Sequence, residues 1–247
     1  MRIYTLNLRK HRYASAITAI VLVLIILSAI SISVVTKLFG SDLFIESADA
    51  IPYEKIVILD AGHGGEDSGA IGKNGRLEKD LNLEIALEIG EALEERGYVV
   101  VYTRTDDRLL YTEAENVKGI RKISDLKNRC KVAANYPESI FVSIHMNSFA
   151  SEKYSGLQVY HKPDDEESRA LASAIQERTV SDVQPDNNRK IKSGKGMYVL
   201  ENVENTAVLI ECGFLTNRDE CEKLSEKEYQ KRLSLAIVCA IIEYIED

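Results

Sequence analysis

The chain has 247 residues, 45% hydrophobic and 28% charged, enough for one ordinary domain with a real core. Only four Pro and no low-complexity tract exclude collagen-like, prion-like and largely disordered classes. A formal net charge of −8 argues against a nucleic-acid binder that works by neutralising phosphates, and the lack of Trp removes a Trp-stacking carbohydrate platform, although twelve Tyr remain.

The charge is uneven: residues 1–50 carry a net +2 and residues 51–247 a net −10. Arg2, Arg9, Lys10 and Arg12 precede an uncharged run from Tyr13 to Thr36. As a helix those 24 residues span roughly 36 Å, enough for a bilayer core of roughly 30 Å. The basic flank should stay cytoplasmic, which places the remainder outside. Residues 1–36 are therefore read as a basic stub and signal-anchor helix, and 37–54 as a linker. A cleaved signal peptide is the rival, with Ala48-Asp49-Ala50 as its small-x-small site, but the apolar run is long and the site far from it. Either reading exports residues 55–247.

The exported part reads as α/β. Ile56-Val57-Ile58-Leu59 is a continuous apolar run, as in a strand buried on both faces. A Gly-rich turn follows. Leu81, Ile85, Ile89, Ala92 and Leu93 recur at helical spacing over 79–96, and Gly97 ends that helix. Strands are predicted over 98–102, 140–145, 157–160 and 207–211, and helices near 121–135, 166–180 and 226–245. The stretch 104–120 is polar and left without an element. Such alternation implies a single domain with a mostly parallel or mixed sheet covered by helices on both faces. Export permits disulfides, but no C-x-x-C occurs. Cys130 and Cys239 read as buried small hydrophobes, and a Cys212–Cys221 bridge stays open.

Of the four His, His11 sits in the basic flank and His161 is expected on a surface loop. His63, in LDAGHGGEDSGA, and His145, in FVSIHMNS, each lie at a strand exit. In open α/β sheets ligands bind beyond the carboxyl ends of the strands, so the two can share one site. The glycines around His63 let backbone and substrate approach closely, but they miss the phosphate-loop spacing, with Asp67 where its first Gly would stand, and miss G-x-G-x-x-G at the same residue. Two His and one carboxylate with an open position make a catalytic zinc site. Glu66, Asp67, Glu78 and Asp80 are candidates, and spacing does not choose among them. Glu78 falls where the loop becomes a helix, a rigid place for a ligand and equally a place where any acid suits the helix dipole. Glu211 ends an apolar run, so partial burial should raise its pKa toward that of a general base. A Cys212 nucleophile lacks any local signature.

Three blocks, LDAGHGGEDSGAIGKNGRLEKDLNLEIA, RCKVAANYPESIFVSIHMNS and AVLIECGFLTNRDE, resemble those of the zinc-dependent N-acetylmuramoyl-L-alanine amidases over residues 55–245. The resemblance implies Zn²⁺ held by His63, Glu78 and His145, with Glu211 as catalytic base; it is the resemblance that selects Glu78. The departures spare all four: Ala61 and Ser68 replace frequent Pro, Met146 a usual Ala, and Cys212 a common Val. Sixty-five residues between His145 and Glu211, with one helix-like segment, leave little room for the autoinhibitory helix of division amidases. The short tethered layout and the GIRKISDLKNR stretch resemble the germination-specific amidases that act on spore-cortex peptidoglycan ahead of muramic δ-lactam formation. The resemblance implies the peptidoglycan glycan and stem peptide as partners; the N-terminal helix adds the membrane, and an acidic domain with no general attraction to an anionic wall adds an activating protein. Another exported zinc hydrolase (a peptidase or deacetylase) and a non-catalytic, membrane-tethered wall-binding protein are the alternatives.

Overall fold

The computed structural model describes residues 21–24 and 56–246. The expected transmembrane helix and linker fall outside these residues except for Val21–Leu24, which are helical and exposed. Among the described residues no helix is long and apolar enough to cross a membrane.

Six strands form one sheet: β1 (Ile56–Ala61), β2 (Val99–Tyr102), β3 (Ile140–Asn147), β4 (Gln158–His161), β5 (Lys192–Ser193) and β6 (Thr206–Phe214), in the order β2-β1-β3-β6-β4-β5. The first four in that order run parallel, β4 runs antiparallel to β6, and β5 parallel to β4. The sheet is thus mixed, as predicted.

Within residues 56–246 the α-helices are α1 (Glu78–Glu94), α2 (Arg121–Ala134), α3 (Glu166–Asp182), α4 (Tyr198–Asn202), α5 (Arg218–Ser225) and α6 (Lys227–Glu246), with one 3-10 turn at Glu113–Glu115 in the polar stretch. Strand alternation sorts the core into two layers. Val57, Leu59, Val142, Ile144, Val208 and Ile210 face Leu81, Ile85, Ile89, Leu171, Ile175, Leu233, Ile237 and Ile241 of α1, α3 and α6. Ile58, Phe141, Ala207 and Leu209 face Ala133 of α2 and Val199 and Leu200 of α4. Burying each large aliphatic side chain contributes about 1.5–3 kcal/mol, so the thick α1/α3/α6 layer carries most of the apolar stabilisation. The thinner α2/α4 layer leaves room for a cleft at the strands' carboxyl ends.

Several expectations need correction. The closing helix of 226–245 is preceded by a separate helix, α5, whose start is capped by Asn217, the side chain accepting from the Glu220 N–H at 3.0 Å. The Asn cap and the acids Asp219 and Glu220 in its first turn were legible start signals. α4 is a second helix between His145 and Glu211, too short to show periodicity. β6 runs three residues past the predicted 207–211, to Phe214. His161 is the half-buried last residue of β4 and not a loop residue, its Nδ1 2.9 Å from the Lys162 carbonyl oxygen. Cys130 and Cys239 are only half-buried, and all four cysteines are free.

Candidate active site

Side chains at the carboxyl ends of β1, β3 and β6 converge. His63 lies two residues past β1 in the left-handed region, φ 61°, a conformation a non-glycine residue adopts only when its surroundings hold it there. Those surroundings are two arginines with 1% exposure each. Arg104 donates to the carbonyls of Ala61 (2.8 Å), Gly62 (3.0 Å) and Lys79 (2.7 Å). Arg129 donates to the Ala61 carbonyl (2.8 Å) and the His63 carbonyl (2.7 Å), and its charge is met by Asp60 (2.6 Å) and Asp125 (2.8 Å). Asn82 adds a bond to the Gly62 carbonyl at 3.1 Å. The loop that presents His63 is therefore fixed by donors to three successive carbonyls.

Glu78 opens α1 and is buried, with the positive end of the helix dipole beside it. Its Oε1 is 3.2 Å from His63 Nε2 and 3.0 Å from His145 Nδ1, and accepts from the Met146 N–H at 3.1 Å. Its Oε2 accepts from the Ala70 N–H at 2.8 Å. One ligand atom from each of His63, Glu78 and His145 lies within 4.8 Å of the others, and the two rings meet edge to face with centroids 5.0 Å apart. Two glycines make this crowding feasible: a Cβ on Gly62 would stand 2.2 Å from His145 Nε2, and one on Gly69 would stand 2.5 Å from Glu78 Oε2.

The other carboxylates weighed from sequence lie outside this group. Asp67 Oδ2 is 2.9 Å from His63 Nδ1, behind the ring, where it orients the imidazole. Glu66 pairs with Arg121, and Asp80 lies further into the first turn of α1. Burial alone would raise Glu78, but hydrogen bonds from His145 and His63 and their charge hold it well below the usual carboxylate range. Burial would lower His63, but Glu78 and then Asp67 outweigh it and raise its pKa.

Glu211 pairs with His145 in the β3–β6 register. Burial, helped by the Glu78 carboxylate, pushes its pKa up against the lowering influence of His145, His63 and Arg189. Its Oε2 is buried and has no hydrogen-bond partner among the described residues. A cleft of about 350 Å³ joins His63, His145 and Glu211 with Lys122 of α2 and Tyr198 of α4. Cys212 points away into the core, and full burial drives its thiol pKa up, so it is no nucleophile.

Two imidazoles and one carboxylate closing on one point, with a free carboxylate oxygen nearby, suit a small divalent cation and a water to be deprotonated. The family model for N-acetylmuramoyl-L-alanine amidase matches residues 57–243. The chain belongs to this amidase family. Its reaction is hydrolysis of the amide between the lactyl group of N-acetylmuramic acid and L-alanine in peptidoglycan. The chain is 35% identical over 193 residues to the germination-specific N-acetylmuramoyl-L-alanine amidase of Bacillus subtilis, covering 78% of this chain and 81% of that one. Among solved structures it is similar to the CwlD amidase of Clostridioides difficile in complex with the GerS lipoprotein, with 40% identity, a TM-score of 0.74, and 77% of this chain and 98% of that one covered. The amidase AmiC2 of Nostoc punctiforme matches at 30% identity and a TM-score of 0.68, over 78% and 98% of the two chains. The amidase family match sets aside a peptidase, a deacetylase and a purely wall-binding protein.

The residues that the linear pattern does not reveal are those that hold this cluster together: Asp60, Asn82, Arg104 and Arg129. Arg129 and Asp60 lie in or beside the blocks quoted above, yet nothing in a linear pattern says that an Arg will be buried.

Proposed function

We propose that His63, Glu78 and His145 hold a catalytic zinc ion and that Glu211 is the general base of the amidase reaction. The observation that carries this reading is the uncommitted Glu211 Oε2, buried beside His145 with a raised pKa. When bound, zinc supplies Lewis-acid polarisation of the lactyl carbonyl and acidifies the attacking water. Glu211 takes the water's proton and returns it to the leaving L-alanine nitrogen. A carboxylate with a raised pKa is a stronger base than an ordinary glutamate, which suits the first half of that task. Asp67, hydrogen-bonded to His63 Nδ1, fixes the ring so that Nε2 faces the other two ligands. Arg104, Arg129 and Asn82 hold the His63 loop rigid, so no reorganisation is needed when substrate arrives.

The deciding experiment combines zinc content with product analysis on peptidoglycan. The wild-type protein should release stem peptides with a new N-terminal L-alanine, whereas Glu211→Gln should keep its zinc and release almost none. Ordinary turnover by that variant would refute the assignment of the base.

Spore cortex is the proposed site of action, supported by the similarity to the germination-specific enzyme of Bacillus subtilis. An accessory protein is proposed as partner, supported by the similar amidase solved with a lipoprotein. Residues 1–36 are proposed as a membrane anchor and 37–54 as its tether, with the catalytic domain at 55–247 outside the cytoplasm; the support is the basic flank and the 24-residue uncharged run. Recovery of the full chain in the soluble fraction of lysed cells would overturn the anchor.

A further inference from the structure

The strands present their functional side chains in a row. From β1 across β3 and β6 to β4, the carboxyl-end region carries His63, His145, Glu211 and then Gln158, which pairs with Glu211 in the β4–β6 register. Adjacent strands are about 4.8 Å apart, so Gln158 lies one step beyond the base on the side away from the two His. Gln158 is 2% exposed, and its Oε1 accepts a 2.5 Å hydrogen bond from Arg189 Nη2. The guanidinium of Arg189 is stacked 4.8 Å from the Phe214 ring centroid.

Arg189 is held in place and yet its charge is not neutralised by a direct partner. Among the described residues no carboxylate lies within 4.0 Å of it, and its buried Nε has no partner. Of its five N–H donors, the one hydrogen bond found among the described residues goes to Gln158. The setting is unusual for a region, residues 51–247, whose net charge is −10: from Asn187 to Leu200 there are four cations, Arg189, Lys190, Lys192 and Lys195, and no acid. None of the four is in an ion pair among the described residues.

The reaction fixes which way the substrate runs past this row. The lactyl carbonyl must face the His63–Glu78–His145 group, and the leaving nitrogen must lie beside Glu211, which protonates it. A departing peptide that follows the row runs over β6 toward β4. In a stem whose second residue is a γ-linked D-glutamate, the α-carboxylate of that residue is free unless amidated. At about 3.3–3.6 Å per residue, that carboxylate falls one to two strand spacings beyond the leaving nitrogen, over Gln158 and Arg189.

We propose that Arg189, oriented by Gln158 and Phe214, receives the α-carboxylate of the second stem-peptide residue and makes the enzyme prefer stems in which it is free over stems in which it is amidated. This rests on the assignment of Glu211 as the base. A planar guanidinium already fixed on one edge matches a carboxylate better than a mobile ammonium does.

The test is equilibrium binding of L-alanyl-γ-D-glutamate and of its α-amide to the zinc-loaded full chain, by calorimetry. The wild type should bind the acid at least about tenfold more tightly than the amide, the effect of one charge-assisted hydrogen bond. Arg189→Gln should abolish that preference with zinc content and melting temperature retained, and Arg189→Lys should keep part of it. Equal affinity of the wild type for both peptides, binding of neither, or an equal loss for both in Arg189→Gln would overturn the proposal. Failure of the Glu211 assignment is read separately, from turnover of peptidoglycan by Glu211→Gln.

Discussion

Two polar regions lie side by side at the carboxyl end of the sheet, and they are finished differently. In the first, Arg129 commits Nε, Nη1 and Nη2 to Asp125, Asp60 and the carbonyls of Ala61 and His63. Asp60 in turn accepts from Thr103 (2.8 Å) and Ser143 (2.6 Å). In the second, His63, Glu78 and His145 crowd one point and Glu211 Oε2 has no partner among the described residues. A buried network whose partners are all present rigidifies; one with an open acceptor keeps capacity for a ligand or a proton. The first region is built as scaffold, and the second is left open for chemistry.

The contrast can be attacked from either side. The largest expected effect is on turnover: Glu211→Gln should cost about 10²–10⁴-fold in rate, the usual contribution of a general base, without lowering the urea midpoint. Next is the scaffold. Arg129→Met leaves Asp60 and Asp125 buried without their cation, and should cost about 3–5 kcal/mol of stability by urea unfolding. If Arg129→Met instead left stability intact and abolished turnover, the division between scaffold and chemistry would fail. Smaller still is Asp67→Asn, which keeps the size of the side chain behind His63 but weakens its hold on the ring. It should lower zinc affinity about 10–100-fold in a chelator competition.

The smallest effects are in pH dependence, and the two regions should differ in sign. Burial would raise Asp60, but the Arg129 charge and the hydrogen bonds from Ser143, Arg129 and Thr103 hold it below the usual carboxylate range. Its stabilising contribution is therefore full above the unfolded-state value and is lost as pH falls through the lowered one, below about pH 4. Asp60→Asn should flatten the acid limb of the stability curve. Glu211 is raised, so its ionisation disfavours the folded state once pH exceeds the unfolded-state value. In zinc-free protein, Glu211→Gln should gain more stability at pH 8 than at pH 4, measured by thermal unfolding. An equal gain at both would mean that the variant acts through packing.

Much of this was legible in the linear pattern. Ile56–Leu59 of β1 is an unbroken apolar run because a strand buried on both faces has little polar side to show, and Ile140–Val142 of β3 and Ala207–Ile210 of β6 are similar. α1 was legible because Leu81, Ile85 and Ile89 recur at helical spacing on one buried face. His63 and His145 were legible as strand-exit residues, whereas choosing Glu78 over Glu66, Asp67 and Asp80 needed the family resemblance. α5 and α4 were not found, since a polar eight-residue helix and a five-residue one show too few turns for periodicity to emerge.

Local pattern was enough for the α/β class, for the strand exits that carry the two His, and for the family, because hydrophobic period and short motifs are properties of neighbouring residues. Folding in three dimensions settled the rest. It stands Asp67 behind His63 and Glu78 between the two rings, buries Arg104 and Arg129 as clamps, and sets Arg189 against Gln158, one strand beyond Glu211. Those facts depend on contacts between residues far apart in the chain, such as Arg129 and Asp60 at a separation of 69, and burial and partnering are set by such contacts.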